Sequence, residues 1–402
     1  MAGRARGRCY NVGLALAPVD PPGERRPRSQ TARPGPLTHS IGEQEYGLRR
    51  ARLKEILHQE GFDGFLVSAL VNIRYLTGFT GSSALLYLDL DADADVLLTD
   101  PRYAIQAREQ AGCQVRIQRG SPMSGLRRML ALRRVRSLAF ESARIPYSTF
   151  LALEKAAPGG VFLAPTMGLV ERLRAVKSPA EIGSIRIAAD TCCAAFAESL
   201  RQIRPGILEW ELAAELDHRM RRLGAERPAF DTIVAFGPRS ALPHAQPSGR
   251  ALRANELLLI DMGAMQAGYA SDMTRVVWRG RPSQRARRLH GAVLEAQLAA
   301  LDSVRAGRPA GAVDAAARRV LRRHRLDDRF IHSTGHALGL EIHEAPRLGR
   351  GDKTRLEAGM VVTVEPGVYI ENFGGIRIED TVVVTNSGCE ILTPASKEML
   401  VL

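Results

Sequence analysis

LLLIDMGAMQAGYASDMTRVVW, residues 257–278, consists of two β-rich runs folded about a small turn. Ala267-Gly268 is a plausible two-residue hairpin turn, which would pair Gln266 with Tyr269. Counting outward from that pair puts Asp261 opposite Thr274. Asp272 lies two residues from Thr274, so it shares a face with Asp261 as its diagonal neighbour, at roughly 7–8 Å along the backbone. Two carboxylates on one buried face repel unless one is protonated or a cation lies between them. Their spacing leaves room for two metal ions about 3.5–4 Å apart. A pair of this kind on a hairpin also arises by chance, so by itself it does not establish a metal site.

Three further frames lie downstream. STGHALGLEIHE (333–344) holds His336 and His343, with His332 just before it. Gly335 and Gly339 let the backbone approach closely there, and imidazole is a good transition-metal ligand. Glu365 interrupts the apolar run of MVVTVEPGVYI (360–370), and Glu379 interrupts GGIRIEDTVVV (374–384). One glutamate inside an apolar strand can be a structural ion pair. Two of them, after a DxG…D hairpin and a histidine-rich loop, call for positive charge, because buried carboxylates are costly alone. Asp261, Asp272, Glu365 and Glu379 carry the charge that two divalent ions balance, with His336 as a fifth donor. Oxygen-dominated ligation with one imidazole favours Mn²⁺, with Co²⁺, Fe²⁺ or Zn²⁺ compatible; no thiolate set suggests structural zinc.

The rest of the chain bounds the class. Its 402 residues allow two domains of ordinary size, and 45% hydrophobic with 25% charged residues is a globular composition. No apolar run reaches the roughly 18–20 residues of a membrane helix. The formal charge of +13 raises the question of an acidic partner. Residues 1–42 alone supply +5 of it, from seven Arg against Asp20 and Glu24. The densest other runs, Arg127 to Arg136 and Arg318 to Arg325, read as solvated helix faces. Nothing resembles a nucleic-acid motif, so nucleic acid is not an expected partner. Five scattered cysteines, odd in number, fit a reducing, cytoplasmic setting.

Residues 1–45 are rich in Pro, Gly and Arg without hydrophobic periodicity, and read as a disordered extension. From Tyr46 a helix and five strand candidates (65–68, 84–89, 95–100, 113–118, 137–141) alternate with helical patterns, which predicts an α/β domain over 46–170. A long helix then opens with Ser178 as N-cap, Pro179 at its first position and Glu181 closing a capping box. Its apolar face, Ile182 to Leu200, makes Cys192 a core residue. Mixed helices and antiparallel-looking strands fill 171–402, which reads as one α+β catalytic domain.

FDTIVAFG (230–237), SALPHAQPS (240–248), the DxG…D hairpin and the three C-terminal frames, in this order, resemble the pita-bread metallopeptidase family (M24). Within it the resemblance is to the Xaa-Pro aminopeptidase and prolidase branch. It extends to NIRYLTGFTGS (72–82) and AVKSPAEI (175–182), and covers about 46–402. It implies a pita-bread catalytic domain behind a smaller, creatinase-like α/β domain. Residue by residue it implies that Asp261 chelates one metal, that Asp272 and Glu379 bridge both, and that His336 and Glu365 complete the second. A hydroxide between the ions would be the nucleophile and Glu365 the general base. His244, His332 and His343 match non-ligand histidines that bind the scissile carbonyl or assist proton transfer, and Arg377 matches an arginine that holds nearby carboxylates. The implied reaction removes the N-terminal residue from peptides with proline second; a dipeptidase or a non-catalytic peptide-binding module are the alternatives. The resemblance also implies a homodimer, with Tyr75 and Phe79 contributing toward the partner's site. Two positions depart from the pattern: Ala337 stands where Gly is frequent, and Phe236 stands where a small residue is usual, which reads as packing.

Overall fold

The computed structural model describes residues 41–90, 94–133 and 135–402. The extension read at 1–45 falls outside them up to residue 40, and the first helix, α1 (Glu43–Gln59), starts three residues before the expected Tyr46.

The first layer is a six-stranded sheet, ordered β4-β3-β2-β1-β5-β6. Its strands are β1 (Gly64–Val67), β2 (Ala84–Asp89), β3 (Val96–Thr99), β4 (Gln114–Ile117), β5 (Ser137–Glu141) and β6 (Phe162–Thr166). The first five match the sequence reading closely. β6 was not foreseen, because Pro165 in FLAPT argues against a strand, yet β6 lies at an edge, where proline is tolerated. Side chains split by period two: Phe65, Val67, Leu86 and Leu88 pack on one face, and Leu66, Leu85 and Tyr87 on the other. On the first face lie α1, α2 (Leu70–Thr77) and α6 (Leu169–Ala175), and on the second α4 (Pro122–Leu132) and α5 (Tyr147–Ala156), with α3 (Ala104–Gln110) beside β4. With both faces covered, these strands read as continuous apolar runs.

Helix α7 (Pro179–Ser199) begins as its sequence dictates. Ser178 Oγ accepts from Glu181 N–H (3.3 Å) and Glu181 Oε2 from Ser178 N–H (3.0 Å). Ile185, Ala189 and Cys192 are fully buried. Cys113, Cys192, Cys193 and Cys389 are free thiols. Helix α8 (Glu209–Arg222) packs with α7 against β8 (Ile233–Phe236), β9 (Glu256–Met262) and β12 (Met273–Arg279). Phe236 is fully buried in that core, which is the packing role read for it. The 257–278 hairpin continues through β10 (Ala264–Gln266) and β11 (Tyr269–Ala270), which pair beside β7 (Arg227–Pro228). Its register is the expected one: Gln266 opposes Tyr269 and Asp261 opposes Thr274. Ala267 and Gly268 both take positive φ (48° and 79°), as a type I′ turn demands.

A five-stranded sheet, β14-β13-β15-β18-β19, adjoins this one, built from β13 (Gly335–Ala337), β14 (Glu344–Leu348), β15 (Val361–Val364), β18 (Asp380–Val384) and β19 (Cys389–Ile391). Helices α9 (Gln284–Ser303) and α10 (Ala310–Arg323) share its apolar core. The hairpin β16 (Gly367–Ile370) with β17 (Gly374–Arg377) stands between β15 and β18, and β20 (Leu400–Val401) joins β12 in parallel. Pita-bread catalytic architecture behind a creatinase-like α/β layer is thus the fold. Among the described residues no helix is long and apolar enough to cross a membrane.

Candidate active site

Both sheets deliver acidic side chains to one cavity of about 580 Å³. Asp261 is the last residue but one of β9, Asp272 sits just before β12, His336 is central in β13, Glu365 follows β15 and Glu379 precedes β18. All five line the cavity, together with His244, His332, His343 and Arg377. The seam between the sheets is hydrogen-bonded: Glu379 N–H donates to Thr274 O (3.2 Å) and Asp272 N–H to Thr381 Oγ1 (3.3 Å). Asp272, His336 and Glu379 each place one donor atom within 4.8 Å of the others. Asp261 and Glu365 stand outside that trio. Asp261 Oδ2 is gripped by Arg377, and Glu365 Oε1 lies 3.4 Å from the Thr363 hydroxyl.

The protons around His336 test whether a divalent ion fits here. Its Nδ1 lies 3.1 Å from Ala337 O and therefore carries the proton. That leaves Nε2 as a bare lone pair, 3.7 Å from Asp272 Oδ2 and 3.6 Å from Glu365 Oε1. Acceptors facing acceptors at this range need a proton or a cation between them. Asp261 Oδ1 is likewise buried without a hydrogen-bond partner. Burial, then the neighbouring carboxylates, push Asp272 and Glu379 well above the usual carboxylate range. Burial pushes Glu365 up to about 8 and lowers His336 to about 4. The donor set therefore fits divalent cations, with hard oxygens and one imidazole.

Around the donors runs a network of long-range hydrogen bonds. Arg377, 3% exposed, donates from Nε to Thr274 Oγ1 (3.0 Å) and from Nη1 to Tyr369 OH (2.7 Å). Thr274 Oγ1 passes its own proton to Glu379 Oε2 (2.7 Å). Tyr369 OH can then donate only to His332 Nε2 (2.8 Å), whose Nδ1–H donates to Ser333 O (2.8 Å). His332 is so fixed neutral, and burial followed by Arg377 lowers it to about 4. Arg275, 2% exposed, holds the Asp380 carboxylate (2.8 Å) and the Glu379 carbonyl, and so anchors the strand entry that carries Glu379. His343 and His244 are exposed, and the His343 ring lies 4.4 Å from that of His336.

Two readings need correction. Tyr75 and Phe79 are 5% and 1% exposed in the core of their own chain and do not line the cavity, so they are not free to enter a partner's site. Arg318 does not belong to a solvated face: at 8% exposure it pairs with Asp314 (2.7 Å) and donates to Phe330 O (2.9 Å) and His332 O. It thereby braces the loop under His332. Arg127 and Arg128 are exposed as expected. Sequence reasoning also missed Tyr369, Thr274, Thr363 and Arg347. Tyr369 carried a signal, a polar hydroxyl at the end of an apolar strand four residues after Glu365; the others carried none.

Residues 183–386 match the model of metallopeptidase family M24, and residues 49–176 that of the Creatinase/Prolidase N-terminal domain. An Xaa-Pro dipeptidase of Pyrococcus horikoshii is 34% identical over 87% of this chain and 97% of its own length. Among solved structures, an Xaa-Pro dipeptidase from Bacillus anthracis superposes with a TM-score of 0.86 at 38% identity, covering 89% of this chain and 100% of that one. An X-Pro aminopeptidase from Thermotoga maritima does so with 0.82 at 37% identity, over 87% and 100%.

Proposed function

This chain belongs to metallopeptidase family M24, and on that premise we propose that it removes the N-terminal residue from peptides with proline at the second position. The observation that carries the reading is the unprotonated His336 Nε2 facing Asp272 and Glu365 inside a cavity wide enough for a peptide end. We assign Asp261, Asp272, His336, Glu365 and Glu379 as holders of two divalent ions, Mn²⁺ first. Such ions neutralise the carboxylates, polarise the scissile carbonyl and lower the pKa of the attacking water.

The chain's own groups supply the rest. Glu365 accepts the proton of the attacking water and delivers it to the prolyl nitrogen as the C–N bond breaks, since a secondary amine leaves only once protonated. His244 and His343 face the same cavity and can donate to the carbonyl oxygen as it gains charge. Arg377 grips and orients Asp261 and donates to Tyr369 OH, which in turn donates to His332.

One observation favours a second reading, hydrolysis of Xaa-Pro dipeptides. Arg347 lines the cavity, exposed, with Nε bonded to Ser333 Oγ (2.9 Å) and its terminal nitrogens without partners among the described residues. A free C-terminal carboxylate could dock there. The test strips metal, restores Mn²⁺ or Co²⁺, and compares Xaa-Pro-Yaa tripeptides with Xaa-Pro dipeptides, each with wild type and Arg347→Ala. Absence of Xaa-Pro cleavage in every restored sample sinks the function. A dipeptide preference that disappears in Arg347→Ala selects the second reading.

A further inference from the structure

Residues 338–343 join β13 to β14 and bring His343 to the cavity. Among the described residues no hydrogen bond holds the His343 ring, so its position is set by its loop and by the edge-on packing of the His336 ring 4.4 Å away. Four main-chain donors fix that loop. Leu338 N–H reaches Val361 O (3.1 Å), Ala270 N–H reaches Gly339 O (2.8 Å), and Gly339 N–H reaches Glu341 O (3.0 Å). The fourth, Glu341 N–H, donates to Glu344 Oε1 (3.2 Å) and depends on where that carboxylate is held.

It is held from the other layer. Arg174 Nη2 donates to Glu344 Oε1 (2.6 Å) and Glu341 Oε2 (2.8 Å), and Lys177 Nζ to Glu344 Oε2 (3.1 Å). Arg144 clasps Glu341 with both terminal nitrogens (2.9 and 2.8 Å). Each arginine is itself aimed: Arg174 Nη1 by Asn72 Oδ1 (2.7 Å), Arg144 Nε by Glu171 Oε1 (2.8 Å). The side chains of Arg174 and Lys177 are 2% and 1% exposed. Apolar residues would have filled such an interface at less cost, because desolvating charges offsets much of their attraction. What charges add is direction, since a bidentate guanidinium fixes the angle and the distance of its carboxylate.

We propose that Arg144 and Arg174 are positioning residues for His343: by holding Glu341 and Glu344 they set the loop that presents this imidazole to the cavity. The region matched by the Creatinase/Prolidase N-terminal domain thereby takes part in the geometry of the reaction. The proposal rests on the Xaa-Pro reading for its kinetic consequence, though not for its structural one.

The outer pair is the one to test. Arg144 and Glu341 are 33% and 31% exposed, so breaking them removes little stability. In the full chain loaded with Mn²⁺, Glu341→Ala and Arg144→Ala should lower kcat on an Xaa-Pro-Yaa peptide about five- to tenfold through misplacement of the imidazole. KM and bound metal should be unchanged. In a His343→Ala background the same Glu341→Ala change should alter the residual kcat less than about twofold, as coupled residues require. Separately, Glu341→Ala should speed amide exchange across residues 338–343 about tenfold, a readout that needs no activity. Wild-type kcat with wild-type exchange overturns the proposal, as does an equal loss of kcat in both backgrounds. If the wild type cleaves no Xaa-Pro peptide, the reaction assignment falls and exchange alone decides: unchanged protection overturns the clamp, faster exchange upholds it.

Discussion

Asp272, Glu365 and Glu379 lie too deep and too close together to be charged at once without company. In the metal-free protein that company is protons. Each has its folded-state pKa raised, so the folded state binds protons more tightly than the unfolded one, and this stabilisation exists at low pH. It is lost as pH climbs from the ordinary carboxylate value through about 8, where Glu365 titrates. Chelated protein should therefore melt lower at pH 8.5 than at pH 6. Saturating Mn²⁺ should raise Tm most at the higher pH, because ligands that bind only the folded state stabilise it. A metal-free Tm that rises between pH 6 and pH 8.5 would contradict the charge picture. Asp272→Ala should abolish both metal retention, measured by elemental analysis, and Xaa-Pro turnover; retained activity would refute its bridging assignment.

The 257–278 hairpin shows how much of an element its residues dictate. A two-residue turn leaves one register, and counting outward from it is why the Asp261–Thr274 pairing was legible from sequence. The turn is imperfect, since Ala267 holds φ of 48° where a side chain is strained. Ala267→Asn should stabilise the protein by about 0.5–1 kcal/mol, because asparagine enters the left-handed region readily; urea midpoints check this, and a lower midpoint would count against it. Helix α7 was equally legible through its capping box. β13 and β14 were not: three and five residues long, with a register shift between His336 and Ala337, they offer no alternation to read. The site divides the same way. Acidic residues interrupting apolar strands announce themselves, whereas Thr274, Arg275 and Arg318 act through partners up to about a hundred residues away, which pattern cannot reveal. Tyr75 and Phe79 misled for a related reason, since an aromatic in a distinctive motif looks the same whether it faces a partner or its own core.

Across the whole molecule, the candidate donors enter from two adjoining sheets, and Asp261 and Glu379 are 118 positions apart in the chain. Contacts of such separation form after local ones, because closing long loops costs entropy before it returns energy. The five candidate donors are thus expected to come together late in folding, and that sets which rate they can influence. Mn²⁺ present during refolding should leave the rate of helix recovery unchanged, yet slow unfolding in denaturant about tenfold or more, as interactions absent from the transition state do. A metal-accelerated refolding rate would place the site in the nucleus instead. The seam between the sheets therefore works as a latch, adding nothing to how fast the protein closes and governing how long it stays shut.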